Sequence, residues 1–254
     1  MARILLEKTG GVASVIIDRP PLNVLNLALL RELRQALDAL DRDESVELVE
    51  IRGAGERAFS AGVDVKDHTR TQVPEMLDLV HGVIRKLMSL RQPTIAVVDG
   101  VCLGGGCELA SSCDLVLASE ESSFATPEIT VGCFPPVALA RFSSQIGYHR
   151  AVEMILTGRR LSASEAASIG LVNRVVPRDQ LGKALETLRS ELLDKSRAVL
   201  RITLRGLREI GLKELSAALA RSEEIYLEEL LKTEDVEEGV QAFVEKRKPQ
   251  WLHR

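Results

Sequence analysis

Aromatic residues are scarce in this 254-residue chain: Phe, Tyr and Trp together make up only 3% of it. Leu, Val, Ile and Ala must therefore fill the core that a 45% hydrophobic sequence of this length is able to bury. Basic charge is not in excess either. A formal net charge of −4 leaves no concentrated cationic face of the kind that nucleic acid requires. No apolar run approaches the roughly 18 residues of a membrane span. Residues 1–11 carry one Arg and a very short apolar run (Ile4, Leu5, Leu6) before Glu7, which is not the pattern of a signal peptide. A cytoplasmic protein is expected. The four cysteines, Cys102, Cys107, Cys113 and Cys133, form no C-x-x-C pair, and the only histidines are His68, His81, His149 and His253. That spacing argues against zinc and for buried, reduced thiols. Gly-x-Ser-x-Gly, His-Glu-x-x-His and P-loop lysine motifs are also missing.

What is present first is alternation of strand and helix. Ile4–Lys8 and Val12–Asp18 flank Thr9-Gly10-Gly11 and read as a hairpin. Leu30, Leu33, Leu37 and Leu40 predict a helix over about 27–41, and a second helix lies within 74–90. Strands are expected at 47–52, 94–98 and 115–118, with a helix starting at Gly104. Repeated β-to-α passages favour parallel strands joined by helices, an α/β fold. Ser162 with Glu165 makes a capping box ahead of a helix that stops by Gly170, and Leu171–Val176 reads as a last strand closed by Pro177. From Asp179 to Lys246 nearly everything is amphipathic and helical. The expected division is 1–178, an α/β core, and 179–254, a helical region for oligomerisation.

Three segments carry chemistry. Gly104-Gly105-Gly106 follows a strand and opens a helix, which lets a ligand approach the backbone and directs free N–H groups at negative charge. Glu108 lies about one turn inside that helix. The segment Ala58–Lys66 supplies a loop of small residues, Ser60-Ala61-Gly62, able to offer a second amide. Glu128 follows Pro127, which pre-sets the local chain direction. Two backbone-donor loops with two carboxylates suit an enzyme that stabilises an enolate and moves protons beside it. A decoy, Gly53-Ala54-Gly55-Glu56-Arg57-Ala58, matches the dinucleotide fingerprint, but Phe59-Ser60-Ala61-Gly62 interrupts the helix such a motif needs.

The segments Ala58–Lys66, Gly104–Asp114 and Phe124–Gly132 resemble the crotonase superfamily, specifically its enoyl-CoA hydratases. So do Arg19-Pro20-Pro21-Leu22-Asn23, Thr157-Gly158 with Ser162-Ala163, and Ala242–Pro249. The resemblance implies a spiral of βββα-type turns with a helical C-terminal region assembled as a trimer or a dimer of trimers. It places the thioester oxyanion hole at the amides of Val63 and Gly105 and the catalytic carboxylates at Glu108 and Glu128. It also implies that Ala61, Val63, Asp64, Val65 and Lys66 line the coenzyme A site, with Leu22 beside them and Lys246 near the phosphates. Acyl-CoA is then the substrate, and no separate cofactor or metal is expected.

One stretch departs from the pattern. Cys133-Phe134-Pro135-Pro136-Val137-Ala138-Leu139 replaces a Gly-rich loop, and Pro136 stands where the family glycine offers an N–H near the catalytic water. This loop resembles cyclohexa-1,5-diene-1-carbonyl-CoA hydratases of anaerobic aromatic degradation, and a rigid wall backed by Val137 and Leu139 would suit a ring-shaped acyl group. The expected activity is reversible hydration of a conjugated acyl-CoA, with that cyclic dienoyl thioester as substrate. The alternatives are an ordinary short-chain 2-enoyl-CoA hydratase, a Δ3,Δ2-enoyl-CoA isomerase, and a catalytically silent acyl-CoA-binding scaffold.

Overall fold

A computed structural model describes residues 3–254. The strands are β1 (Arg3–Thr9), β2 (Val12–Asp18), β3 (Leu48–Gly53), β4 (Ala58–Ser60), β5 (Thr94–Val98), β6 (Val101–Leu103), β7 (Leu115–Ser119), β8 (Ser123–Ala125), β9 (Leu161–Ser162) and β10 (Arg174–Val176). The helices are α1 (Leu27–Arg42), α2 (Val73–Ser89), α3 (Gly105–Ser111), α4 (Pro136–Ile146), α5 (Tyr148–Thr157), α6 (Ala163–Ser168), α7 (Leu181–Leu193), α8 (Arg197–Gly211), α9 (Leu215–Glu228) and α10 (Glu234–Glu245).

The strands form two sheets, in the orders β1-β2-β3-β5-β7-β10 and β4-β6-β8-β9. β1 and β2 pair antiparallel as the expected hairpin, and β2, β3, β5, β7 and β10 run parallel. The chain winds as a spiral: β3 then β4, β5 then β6, and β7 then β8 each place one strand in the large sheet and the next in the small one. Every residue of β5 is buried, as expected for a parallel strand covered on both faces.

Local sequence sets the helix ends. The Asn26 side chain accepts from the Leu29 N–H at 3.0 Å, and α1 turns Leu29, Leu30, Leu33, Leu37 and Leu40 into the core. Ser162 and Glu165 close the expected capping box on α6. The fingerprint-like Gly53-Ala54-Gly55 leads from β3 into β4 and not into a helix. A Cβ at Gly53 would lie 2.2 Å from the Ala58 carbonyl oxygen, so that glycine serves a close backbone crossing.

The expected boundary at 178/179 does not coincide with a break in packing. Leu185 of α7 joins Val12, Leu48, Ile95, Val97 and Leu117 in a core on the second face of the large sheet. The Arg189 guanidinium grips the fully buried Glu50 carboxylate with two nitrogens, so α7 is part of the α/β body. α9 packs on α4 and α2. α10 lies against the short 3₁₀ turn Pro127–Val131: a Cβ on Gly239 would fall 2.3 Å from the Val131 carbonyl oxygen, and one on Gly132 would fall 2.6 Å from that of Asp235. α8 has no buried residue and leaves Val199, Ile202, Leu207 and Ile210 exposed, while Arg197, Arg201 and Arg208 tie it to the body through the carbonyls of Glu44, Val46 and Leu90 and through Asp114. No helix among the described residues is long and apolar enough to cross a membrane.

Candidate active site

The Arg19–Asn23 segment fixes one edge of the site. Asn23 is fully buried, and its Nδ2 donates to the carbonyls of Ala58 at 2.7 Å and Ala54 at 3.0 Å. This holds Leu22 beside β4, where the Leu22 carbonyl accepts from the Ala61 N–H at 2.9 Å. Arg19 donates to Asp64 at 3.1 Å, and Asp64 in turn accepts from the Lys66 N–H at the start of a short 3₁₀ turn. Val65 is half-buried and Lys66 is exposed. Leu22, Ala61, Asp64, Val65 and Lys66 are therefore brought together. Lys246 caps α10 with φ of 55°, its N–H donating to the Phe243 carbonyl, and its exposed side chain has no ion-pair or hydrogen-bond partner among the described residues.

Val63 forms a bridge to Leu25 in which the Gly62 carbonyl and the Asp64 N–H make the hydrogen bonds. The Val63 N–H is left out of that bridge, and Gly105, the first residue of α3, has no partner inside its helix. Neither amide donates a hydrogen bond among the described residues. The two residues lie against each other: a Cβ on Gly105 would fall 2.8 Å from Val63 Cγ2 and 3.5 Å from the Val63 nitrogen. Gly104, at φ 53°, makes the turn into α3, and a Cβ there would sit 2.7 Å from Glu128 Oε1. Both glycines are thus required by close approach to the site.

The two carboxyls differ in their surroundings. Glu108 is 3% exposed, and its Oε1 accepts the N–H groups of Val137 at 2.8 Å and Ala138 at 2.9 Å. These are the first free amides of α4, so Glu108 occupies the N-terminus of that helix. Burial pushes its carboxyl up to about 7, against the downward pull of the two amides. The Glu128 residue keeps some surface, but its Oε2 is buried and unpaired. Burial first, and the nearby Glu108 charge second, hold the Glu128 carboxyl well above the ordinary range. Two coupled carboxyls of this kind ionise one before the other, leaving a base and an acid side by side near neutrality.

Pro136 reads differently in three dimensions. It is not part of a stiff loop but the first residue of α4, where a missing N–H costs nothing and φ is already set for the helix. Of the two residues expected behind the Phe134-Pro135-Pro136 wall, Val137 is fully buried and Leu139 is 40% exposed. Phe134 packs edge-on against Tyr226, with ring centroids 4.9 Å apart. The amides of Val137 and Ala138, and Tyr226 itself, escaped the sequence reading. The Pro-Pro pair was the signal for the first two, since proline at a helix start announces free amides immediately after it. The four thiols are buried, and Cys133 is pushed up to about 11 by burial. A cavity of about 900 Å³ lies elsewhere, between α2 and α8, bordered by Arg34, Gly82, Met88 and Arg205 and not by either site glutamate.

With this geometry in view, comparison with known proteins is specific. The family profile described as enoyl-CoA hydratase/isomerase matches residues 7–254. A probable enoyl-CoA hydratase of Rhizobium meliloti is 38% identical, covering 99% of this chain and 98% of that protein. The short-chain-enoyl-CoA hydratase of Clostridium acetobutylicum is 34% identical over 96% and 95%. The cyclohexa-1,5-dienecarbonyl-CoA hydratase of Thauera aromatica is 31% identical over 99% and 97%. The crystal structure of an enoyl-CoA hydratase from Mycobacterium avium subsp. paratuberculosis superimposes with a TM-score of 0.88 at 32% identity, covering 98% of both chains. The spiral of paired sheets, the two unspent amides and the match along nearly the whole sequence agree, and the chain belongs to the enoyl-CoA hydratase/isomerase family.

Proposed function

We propose that this protein adds water reversibly across the double bond of a short-chain 2-enoyl-CoA. The observation that carries the proposal is the unequal carboxyl pair beside two amides that have no other acceptor. The thioester oxygen accepts from Val63 and Gly105, which draws electrons toward the carbonyl and makes the β-carbon electrophilic. Glu108, whose anion is held by two amides, takes a proton from water as its oxygen bonds to the β-carbon. The π electrons move to the thioester oxygen, and Glu128, the carboxyl that keeps its proton longer, delivers it to the α-carbon. Coenzyme A would lie along Leu22 and Ala61–Lys66, with Lys246 as a phosphate contact.

A straight-chain substrate has more support than the cyclic dienoyl thioester. Relatives named enoyl-CoA hydratase share 34–38% identity with this chain, against 31% for the cyclohexadienecarbonyl-CoA hydratase. The Pro136 argument for a ring also loses its footing, since that proline is an ordinary helix start. An isomerase needs one base, and a silent binder needs neither carboxyl, so the retained pair favours hydration over both. The exposed apolar residues of α8 support a trimer or a dimer of trimers.

The test is incubation with a panel of crotonyl-CoA, longer 2-enoyl-CoAs, 3-enoyl-CoAs and cyclohexa-1,5-diene-1-carbonyl-CoA. Hydroxyacyl product with the highest kcat/KM on crotonyl-CoA is expected. Double-bond migration without water uptake would make the protein an isomerase, and binding without turnover would make it a scaffold.

A further inference from the structure

Tyr226 is the largest kind of side chain buried in this chain, at 1% exposure, and its hydroxyl has no hydrogen-bond partner. A buried phenol normally finds one, because an orphaned hydroxyl gives up its hydrogen bonds to water with nothing in return. Leu219, Ser222 and Tyr226 are the buried positions of α9, and they face α4. The Tyr226 ring is held edge-on to Phe134, in the segment that joins Glu128 to α4. Its hydroxyl meets the Cys133 thiol, a weak acceptor that does not replace an oxygen partner, and lies within electrostatic reach of Glu128 and Glu108. The Cys133 thiol directs its own proton to the Val131 carbonyl at 3.6 Å. Burial and those acidic neighbours hold the phenol above its ordinary range, so it remains a donor at every working pH.

The opposite deficit exists at the carboxyl pair. Glu128 Oε2 is buried and lacks a donor. α4 has none to spare: Pro136 carries no N–H, the next two amides are taken by Glu108, and the Leu139 N–H goes to the Pro135 carbonyl at 2.9 Å. A small molecule that both donates and accepts would satisfy the orphaned hydroxyl and the orphaned carboxyl oxygen together. Water is such a molecule, and water is a reactant here.

We propose that Tyr226 positions the reacting water, its hydroxyl donating to the oxygen that enters the acyl chain while the carboxyls manage the protons. The inference rests on the hydratase reading above. Tyr226 neither gains nor loses a proton in the reaction: the water proton goes to Glu108, the new C–O bond forms at the β-carbon, and the α-carbon is protonated by Glu128. The phenol fixes the direction of the oxygen lone pair that attacks, and in the reverse direction it stabilises the departing hydroxide.

The experiment is Tyr226→Phe, which keeps the ring against Phe134 and removes only the donor. Three quantities are read: hydration of crotonyl-CoA, exchange of the α-protons of butyryl-CoA in D₂O, and the melting temperature without ligand. Exchange needs the two amides and a carboxylate but no attacking water. The expected result is a 10–100-fold loss of kcat in hydration with KM within about twofold, exchange within about twofold of wild type, and a melting temperature at or above wild type. Hydration and exchange falling together, hydration unchanged, or a melting temperature well below wild type would each overturn the role. A wild-type protein that hydrates none of the panel but still exchanges α-protons would instead remove the hydratase reading beneath it.

Discussion

Replacing Glu108 by Gln separates the two things this carboxyl does, and the two respond in opposite directions. Raising a buried carboxyl from its ordinary 4.5 to about 7 corresponds to about 3 kcal/mol of folded-state stability given up once both states are ionised. The sign follows from proton uptake. Between those values the unfolded chain has released the proton while the folded chain keeps it, so the Glu108 contribution to wild-type stability falls as pH rises from about 4.5 and levels off above about 7. Gln carries no charge and escapes that loss. Its amide oxygen still accepts from Val137 and Ala138, with weaker hydrogen bonds that forfeit about 1 kcal/mol. The Glu128 carboxyl, freed from a neighbouring negative charge, also titrates lower. The variant should therefore exceed wild type by about 2 kcal/mol at pH 8 and show no advantage near pH 4. Urea denaturation at both pH values, at one protein concentration and with slopes compared, reads this difference. Hydration should meanwhile drop by about 10³-fold or more, with acyl-CoA binding retained. A stability gap that does not grow with pH, or a wild type that is the more stable at pH 8, would refute the account of Glu108 as a desolvated base.

Glu128→Gln is expected to abolish most hydration while still binding acyl-CoA, since the amide keeps shape but has no proton to give. Wild-type kcat/KM should rise through about pH 7 as Glu108 ionises and fall again where Glu128 does, and the falling limb should vanish from the residual activity of Glu128→Gln. Light scattering at micromolar concentration should report a trimer or a dimer of trimers, and replacing Ile202 and Ile210 of α8 with Glu should shift the protein toward monomer; a wild-type monomer would defeat that assignment.

The large sheet and its helices were legible because each element is long enough to display its period. Four leucines on one face announced α1, and a run of buried β-branched and small residues announced β5. The small sheet was not legible. β4, β6, β8 and β9 span two or three residues each, too few for alternation to register, and Phe59-Ser60 reads equally well as loop. The helical stretch after Asp179 was recognised but assigned to one body, whereas α7 closes the sheet and α8 is held by arginines with an apolar face left exposed. Amphipathicity says that a face is buried and not against what. The four site positions were legible only as an ensemble with the resemblance. The partners of Glu108 were hidden because Pro135-Pro136 was weighed for the donor it lacks, when its position determines which donors follow.

The clasp between α10 and the Glu128 turn has a consequence for how the enzyme comes into being. Gly239 and Gly132 let two backbones touch, so the segment bearing Glu128 is backed by a helix made after both sheets. A nascent chain that has already completed both sheets still has an unfinished catalytic centre until α10 leaves the ribosome and docks. Gly239→Ala should act as an active-site lesion although it alters no residue placed against substrate.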